Sequence, residues 1–180
     1  MIITDISKLK IKCEDASPEE TDNIIKLLET ELEDCNKKGN YGIGLAAPQI
    51  GIYKKVAIVR IGDIKVNLVN SKILDRKLPI QTEEGCLSLP GIKSKIERYN
   101  DILVCNNYKF SEKSIVVPNE FVAFGISAIC IQHEMDHWDG VLISDISIVK
   151  HNNIQQKVGP NDKCLCGSNK KFKKCCGGSV

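Results

Sequence analysis

Two histidines, His133 and His137, stand four residues apart with Glu134 beside the first, inside Ala128-Ile-Cys-Ile-Gln-His-Glu-Met-Asp-His-Trp-Asp-Gly140. Four residues is close to one helical turn, so the two imidazoles share a face and can grip one metal ion. Glu134 is then placed to act on water bound to that ion. The alternative is a pair of core or surface histidines without a ligand role. The neighbouring Ile126, Ile129, Cys130 and Ile131 favour a buried helix that carries a metal site.

The third ligand decides the chemistry. Some metalloproteases add a glutamate further along the chain, but no glutamate follows Glu134. Others extend the motif as H-x-x-G-x-x-H, and His137-Trp-Asp-Gly140 begins that way. Ile143 then occupies the place of the third histidine. The ligand is therefore expected upstream, and Cys86 in Glu84-Gly85-Cys86-Leu87-Ser88 is the best candidate.

Three blocks, Gly42-Ile-Gly-Leu-Ala-Ala-Pro-Gln49, Glu84-Gly-Cys-Leu-Ser88 and Gln132-His-Glu-Met-Asp-His137, resemble in order and separation the three motifs of peptide deformylase. The resemblance spans about residues 1–148. It implies an active centre with Cys86, His133 and His137 as metal ligands and Glu134 as general base. Gln49 and the Leu87 backbone N–H would hold the developing oxyanion. The Ile43–Gly44 backbone would pair with a substrate peptide as an added strand, and Ile126, Ile129 and Cys130 would line the pocket for a methionine side chain. Periodicity alone leaves those three residues equally open to plain core packing. The substrate implied is formyl-methionine at the start of nascent peptides, with formate leaving.

Sulfur and imidazole ligands alone would suit zinc. The resemblance implies ferrous iron as the natural metal, with zinc, nickel or cobalt possible in purified protein. Asp136 reads as support for the site or a local backbone cap, not as a ligand. Trp138, Met135 and Lys93 depart from residues common at those places in the family, which touches specificity and rate more than reaction type.

The elements that must position these groups form an α+β domain of antiparallel strands around a central metal-binding helix. Ser17-Pro18-Glu19-Glu20 reads as a capped helix start, with Ile24, Leu27, Leu28, Leu32 and Cys35 at helical spacing and Gly39 as the stop. The Gly42–Gln49 block is too rich in Gly, Ala and Pro for an ordinary strand or helix. Branched runs at 56–59, 65–69, 92–96, 102–105 and 114–117 read as strands. Pro118 opens the metal-binding helix, expected from about Asn119 to Trp138, and Gly140 ends it before a last strand at 141–143.

The 180 residues, 42% of them hydrophobic, suffice for one domain and a small appendage. The first residues lack the apolar stretch of a signal peptide, and no apolar run is long enough to span a membrane. Of nine cysteines, four crowd the last 17 residues and the rest are scattered, which reads as metal binding in a reducing cytoplasm. Charge divides the chain. Residues 1–149 hold 18 basic against 22 acidic residues, whereas 150–180 hold seven lysines against Asp162 alone. The expected organisation is a catalytic domain at 1–149, a linker at 150–158 and a zinc-binding segment at 159–180.

In that last segment Cys164, Cys166, Cys175 and Cys176 form C-x-C-x₈-C-C, four soft ligands that could close a tetrahedral structural zinc site. The pattern closely resembles the SEC-C motif. His151 lies outside it and is a weaker candidate. A knuckle of this kind should fold only with metal bound. Its lysines would face an anionic partner, for which ribosomal RNA near the peptide exit is the expected surface. Two other functions compete with the leading one: a protease of ordinary peptide bonds, disfavoured by the missing downstream ligand, and an inactive metal-binding or ribosome-binding module. Retention of Glu134, Gln49 and Cys86 argues against the latter.

Overall fold

The computed structural model describes residues 1–108 and 120–148, together with Asn161 and Lys171. The chain divides into two compact units, Met1–Ile148 and Val149–Val180. Cys164, Cys166, Cys175, Cys176 and the expected strand at 114–117 lie outside the described residues.

The first unit is a mixed α/β fold with two antiparallel sheets. After a single helical turn, α1 (Ile6–Leu9), comes α2 (Pro18–Lys37). The Ser17 backbone N–H donates to Glu20 Oε1 at 2.7 Å, one arm of a capping box. Gly39 follows the helix with φ +84°, a left-handed conformation that suits glycine at a helix end. Ile24, Leu28, Leu32 and Cys35 are buried as their spacing predicts. Leu27 instead faces solvent, and Ile25 takes the core position beside Leu28.

The Gly42–Gln49 block does form regular structure: strand β1 (Gly44–Ala46) runs straight into a 3₁₀ turn at Ala47–Ile50. β1 is the edge of a three-stranded sheet with β2 (Val56–Ile61) and β3 (Ile64–Val69), pairing Gly44 with Val59 and Val56 with Val69. The second sheet holds β4 (Lys72–Cys86), β5 (Leu89–Cys105) and β6 (Glu120–Phe124) in that order. The two runs expected at 92–96 and 102–105 are thus one long strand. Its partner β4 is mostly exposed, with six charged residues and Pro79 among its fifteen, so it shows no apolar alternation to read in the sequence. Proline is admissible there because β4 is an edge strand of this sheet.

Helix α3 spans Ile126–Trp138, seven residues shorter at its start than expected. Glu120–Phe124 instead extend β5's ladder, with Ala123 opposite Ile102, and satisfy its edge with backbone hydrogen bonds. No strand forms at 141–143. There the Gly140 N–H donates to His137 O and the Val141 N–H to Asp136 O, at 3.2 and 3.0 Å. That pair is a Schellman closure, with Gly140 at φ +68° in the left-handed position. A Cβ on Gly140 would lie 2.4 Å from the Lys10 carbonyl oxygen.

One core joins α3 (Ala128, Cys130, Ile131, Trp138) to the first sheet (Ala46, Ala57, Val59, Leu68) and to the second (Ile102, Val104, Ala123). α2 packs on other residues of the first sheet, including Leu45, Val56, Ile58 and Val69. No helix among the described residues is long and apolar enough to cross a membrane.

Candidate metal centre and active site

Cys86 is the last residue of β4 and pairs with Leu89, so it stands at the tip of a tight hairpin turning through Leu87 and Ser88. His133 and His137 come from successive turns of α3. The hairpin tip meets the helix there: Cys86 Sγ lies 3.4 Å from His137 Nε2, and one ligand atom from each of Cys86, His133 and His137 falls within 4.8 Å of the others. A thiolate and an imidazole sharing one tetrahedral ion would sit about 3.5 Å apart given ordinary zinc bond lengths. The donor set therefore fits a soft or borderline divalent metal. Burial, then the charges of His133 and Arg98, hold His137 down at about 3, so it is a neutral imidazole able to ligate.

The other nitrogen of His133 is already used. Nδ1 lies 2.9 Å from Glu84 Oε2. Arg98 grips the same carboxylate through Nε (2.8 Å) and Nη2 (3.0 Å), and the Thr82 hydroxyl donates to it at 2.8 Å. Burial alone would raise the Glu84 pKa, but hydrogen bonds from His133 and Arg98 outweigh it and hold the group at about 2. A fixed anion on one side of an imidazole sets its tautomer and would leave the other nitrogen free for a metal held with Cys86 and His137.

Glu134 is buried on the same helix. Oε2 has no hydrogen-bond partner among the described residues, and Cys130 Sγ approaches Oε1 at 3.9 Å. Burial, partly offset by the His133 charge, lifts this carboxyl to about 7, where a proton is readily taken up or released. Gly44 of β1 passes directly against it: a Cβ there would lie 2.4 Å from Glu134 Oε1 and 2.6 Å from Cys130 Sγ. Only glycine lets the strand edge come this close.

Gln49 sits in the 3₁₀ turn, almost fully buried. Its Oε1 accepts from the Ala46 N–H at 2.9 Å, and its Nε2 reaches Ser88 Oγ at 3.2 Å and Cys86 Sγ at 3.5 Å. The amide is thereby oriented with its NH₂ toward the hairpin tip. Gln49, Glu84, Cys86, His133 and Glu134 border one cavity of about 800 Å³, which Ile43, Gly44, Leu87, Ile126, Ile129 and Cys130 also line. Cys130 is buried, Ile129 half-buried and Ile126 exposed, so this face of α3 is left partly unfilled.

Residues 2–153 match the family model of polypeptide deformylase. The chain belongs to that family. It is an enzyme of the deformylase class, and residues 161–178 separately match the SEC-C motif. A peptide deformylase of Carboxydothermus hydrogenoformans is 38% identical over 137 residues, 76% of this chain and 83% of the relative. The crystal structure of the deformylase from Thermotoga maritima superimposes with a TM-score of 0.67 at 32% identity, covering 82% of this chain and 96% of that one. A deformylase of Acinetobacter baumannii with Met-Ala-Ser bound is 29% identical, with a TM-score of 0.63 over 78% of this chain and 92% of that one.

Sequence reading assigned no role to Glu84, Arg98, Ser88 or Gln132, though all four are buried at or beside this deformylase centre. Glu84, Ser88 and Gln132 sit inside the three quoted blocks, which is a usable signal. Arg98 had none, because a single arginine in a strand reads as a solvated face until the partner carboxylates are seen.

Proposed function

We propose that this deformylase removes the formyl group from N-terminal formyl-methionine of newly made polypeptides and releases formate. The observation that carries the reading is a Cys-His-His donor cluster whose Cys86 and His133, with a buried carboxylate near pKa 7, border one largely apolar cavity beside a strand edge. Cys86, His133 and His137 would hold the metal, with ferrous iron as the working ion and zinc, nickel or cobalt able to replace it. Such an ion supplies Lewis acidity, which acidifies water and polarises a carbonyl oxygen.

The chain's own groups do the rest. Glu134 accepts the proton of the attacking water and delivers it to the departing amine. The Gln49 Nε2 and the Leu87 N–H hold the oxygen that gains charge. The outer edge of β1 at Ile43–Gly44 pairs with the substrate backbone as an added strand, presenting its first residue to α3. Ile126, Ile129 and Cys130 receive the methionine side chain. The bound Met-Ala-Ser of the Acinetobacter baumannii relative supports a short methionine-led peptide as ligand.

The catalytic domain is assigned to residues 1–149 and a linker to 150–158. In residues 159–180, Cys164, Cys166, Cys175 and Cys176 would bind a structural zinc. The lysines around them would carry the enzyme to ribosomal RNA in the cytoplasm, where its substrates emerge. The decisive assay is formate release from formyl-Met-peptide, run beside acetyl-Met-peptide and a peptide offering only internal bonds. Turnover of the formyl substrate alone supports the reading, and cleavage of internal bonds at comparable rates overturns it.

A further inference from the structure

The block Gln132-His133-Glu134-Met135-Asp136-His137 contains two interleaved pairs, each with members four residues apart. We propose that Gln132 and Asp136 are positioning residues, which lock α3 to β5 so that His133 and His137 meet Cys86. The inference rests on the metal-centre reading above.

Gln132 and Asp136 share a helix face, rotated by one residue from the face of the two histidines. Both reach adjacent residues of β5. The Tyr99 N–H donates to Gln132 Oε1 at 3.1 Å, and Gln132 Nε2 donates to the Tyr99 carbonyl at 2.8 Å. This side chain stands in for a missing strand. The β6 ladder stops at Asp101 opposite Phe124, with one more bond from the Gly125 N–H to Asn100 O. Beyond it the chain turns into α3, and the carboxamide of Gln132 satisfies the peptide group that the next β6 residue would have met. On its other side Tyr99 faces Pro79, which has no N–H to offer.

Asp136 accepts from Arg98 Nη1 at 2.6 Å. The same guanidinium holds Glu84, and Glu84 holds His133. Helix, strand and hairpin are thus closed into one ring, running from His133 through Glu84 and Arg98 to Asp136 and back along a single turn of α3. A planar fork with five donors can serve two carboxylates at fixed angles, which an ammonium cannot do. Release of either clamp lets α3 shift against the hairpin tip, and a shift of well under an ångström spoils a tetrahedral donor set.

The test uses the full chain loaded with cobalt(II), whose visible spectrum reports the thiolate ligand and the coordination geometry. Gln132→Met keeps the volume and removes the amide. Asp136→Asn keeps an acceptor and removes the charge. Each is expected to keep its near-UV circular dichroism, to bind cobalt about 10- to 100-fold more weakly in chelator competition, and to show shifted ligand-field bands. The kcat should fall with KM little changed. Met135→Leu, between them, removes no polar contact and should leave affinity and spectrum as they were.

Asp136→Glu keeps the charge on a longer arm and should also shift the bands. An unchanged spectrum in that variant overturns the proposal even if Gln132→Met proves too damaged to read. Wild-type affinity and bands in both Gln132→Met and Asp136→Asn overturn it as well. A wild-type cobalt protein with no thiolate charge-transfer absorption would remove the metal-centre reading itself, and this inference with it.

Discussion

Glu134 combines two properties that a general base at a hydrolytic centre needs: it is out of bulk water, and one carboxylate oxygen has no protein partner among the described residues. Replacing it with alanine removes the proton carrier and no ligand. Glu134→Ala is therefore expected to keep its metal by elemental analysis while formate release falls by about 10²–10⁴. Retained turnover near the wild-type rate would sink the assignment. Cys86 makes the opposite case. A serine there must ligate as a far less acidic hydroxyl, so Cys86→Ser should lose metal and activity together. Unchanged metal content and rate in the purified variant would show that Cys86 is not the third ligand.

Among elements, α3 depends on how it ends. Gly140 closes the helix in the left-handed region, three residues after His137, with the Lys10 backbone against the place of a side chain. Gly140→Ala should cost at least about 1–2 kcal/mol from conformation alone, read as a lowered urea midpoint. The segment beyond is tied down by Asp145, which accepts from the Leu142 N–H at 2.8 Å and pairs with Lys10. Burial would raise this carboxyl, but the Lys10 hydrogen bond and the Leu142 N–H together hold it below the usual 3.8. The stabilisation is thus complete above pH 3.8 and lost as the pH falls below it through the depressed folded value. Asp145→Asn should lower stability at neutral pH and flatten the acid side of the stability curve. Parallel acid unfolding curves for the two proteins would contradict this.

For the whole molecule, the charge changes sign near residue 150 and residues 161–178 match the SEC-C motif, the segment proposed above to dock the enzyme. Truncation after His151 should leave turnover of short formyl-peptides within about twofold while weakening cosedimentation with ribosomes. The lost component should be the salt-sensitive one, since phosphate contacts are driven by counterion release. Equal cosedimentation of both forms at low salt would refute the docking role. If peptides covering the four cysteines bound no zinc at neutral pH under reducing conditions, the knuckle would fall separately.

The sequence by itself determined the reaction class, because metal ligation and proton transfer demand particular residue types, and three blocks of such types leave few alternatives. It also determined α2, whose apolar spacing reflects a single buried face, and strands β2 and β3, whose branched runs reflect burial on both faces. What it could not determine lay in partners distant along the chain. Strand β4 has no apolar pattern, since its edge position leaves it solvated, and only β5 makes it a strand. Glu120–Phe124, expected in the helix, were drawn into sheet by an open ladder edge on β5. Arg98 became part of the site only when Glu84 and Asp136 arrived beside it from two other elements. Local spacing records what one segment must do alone, whereas the burial that turns an arginine into a clamp exists only once the chain has closed around it.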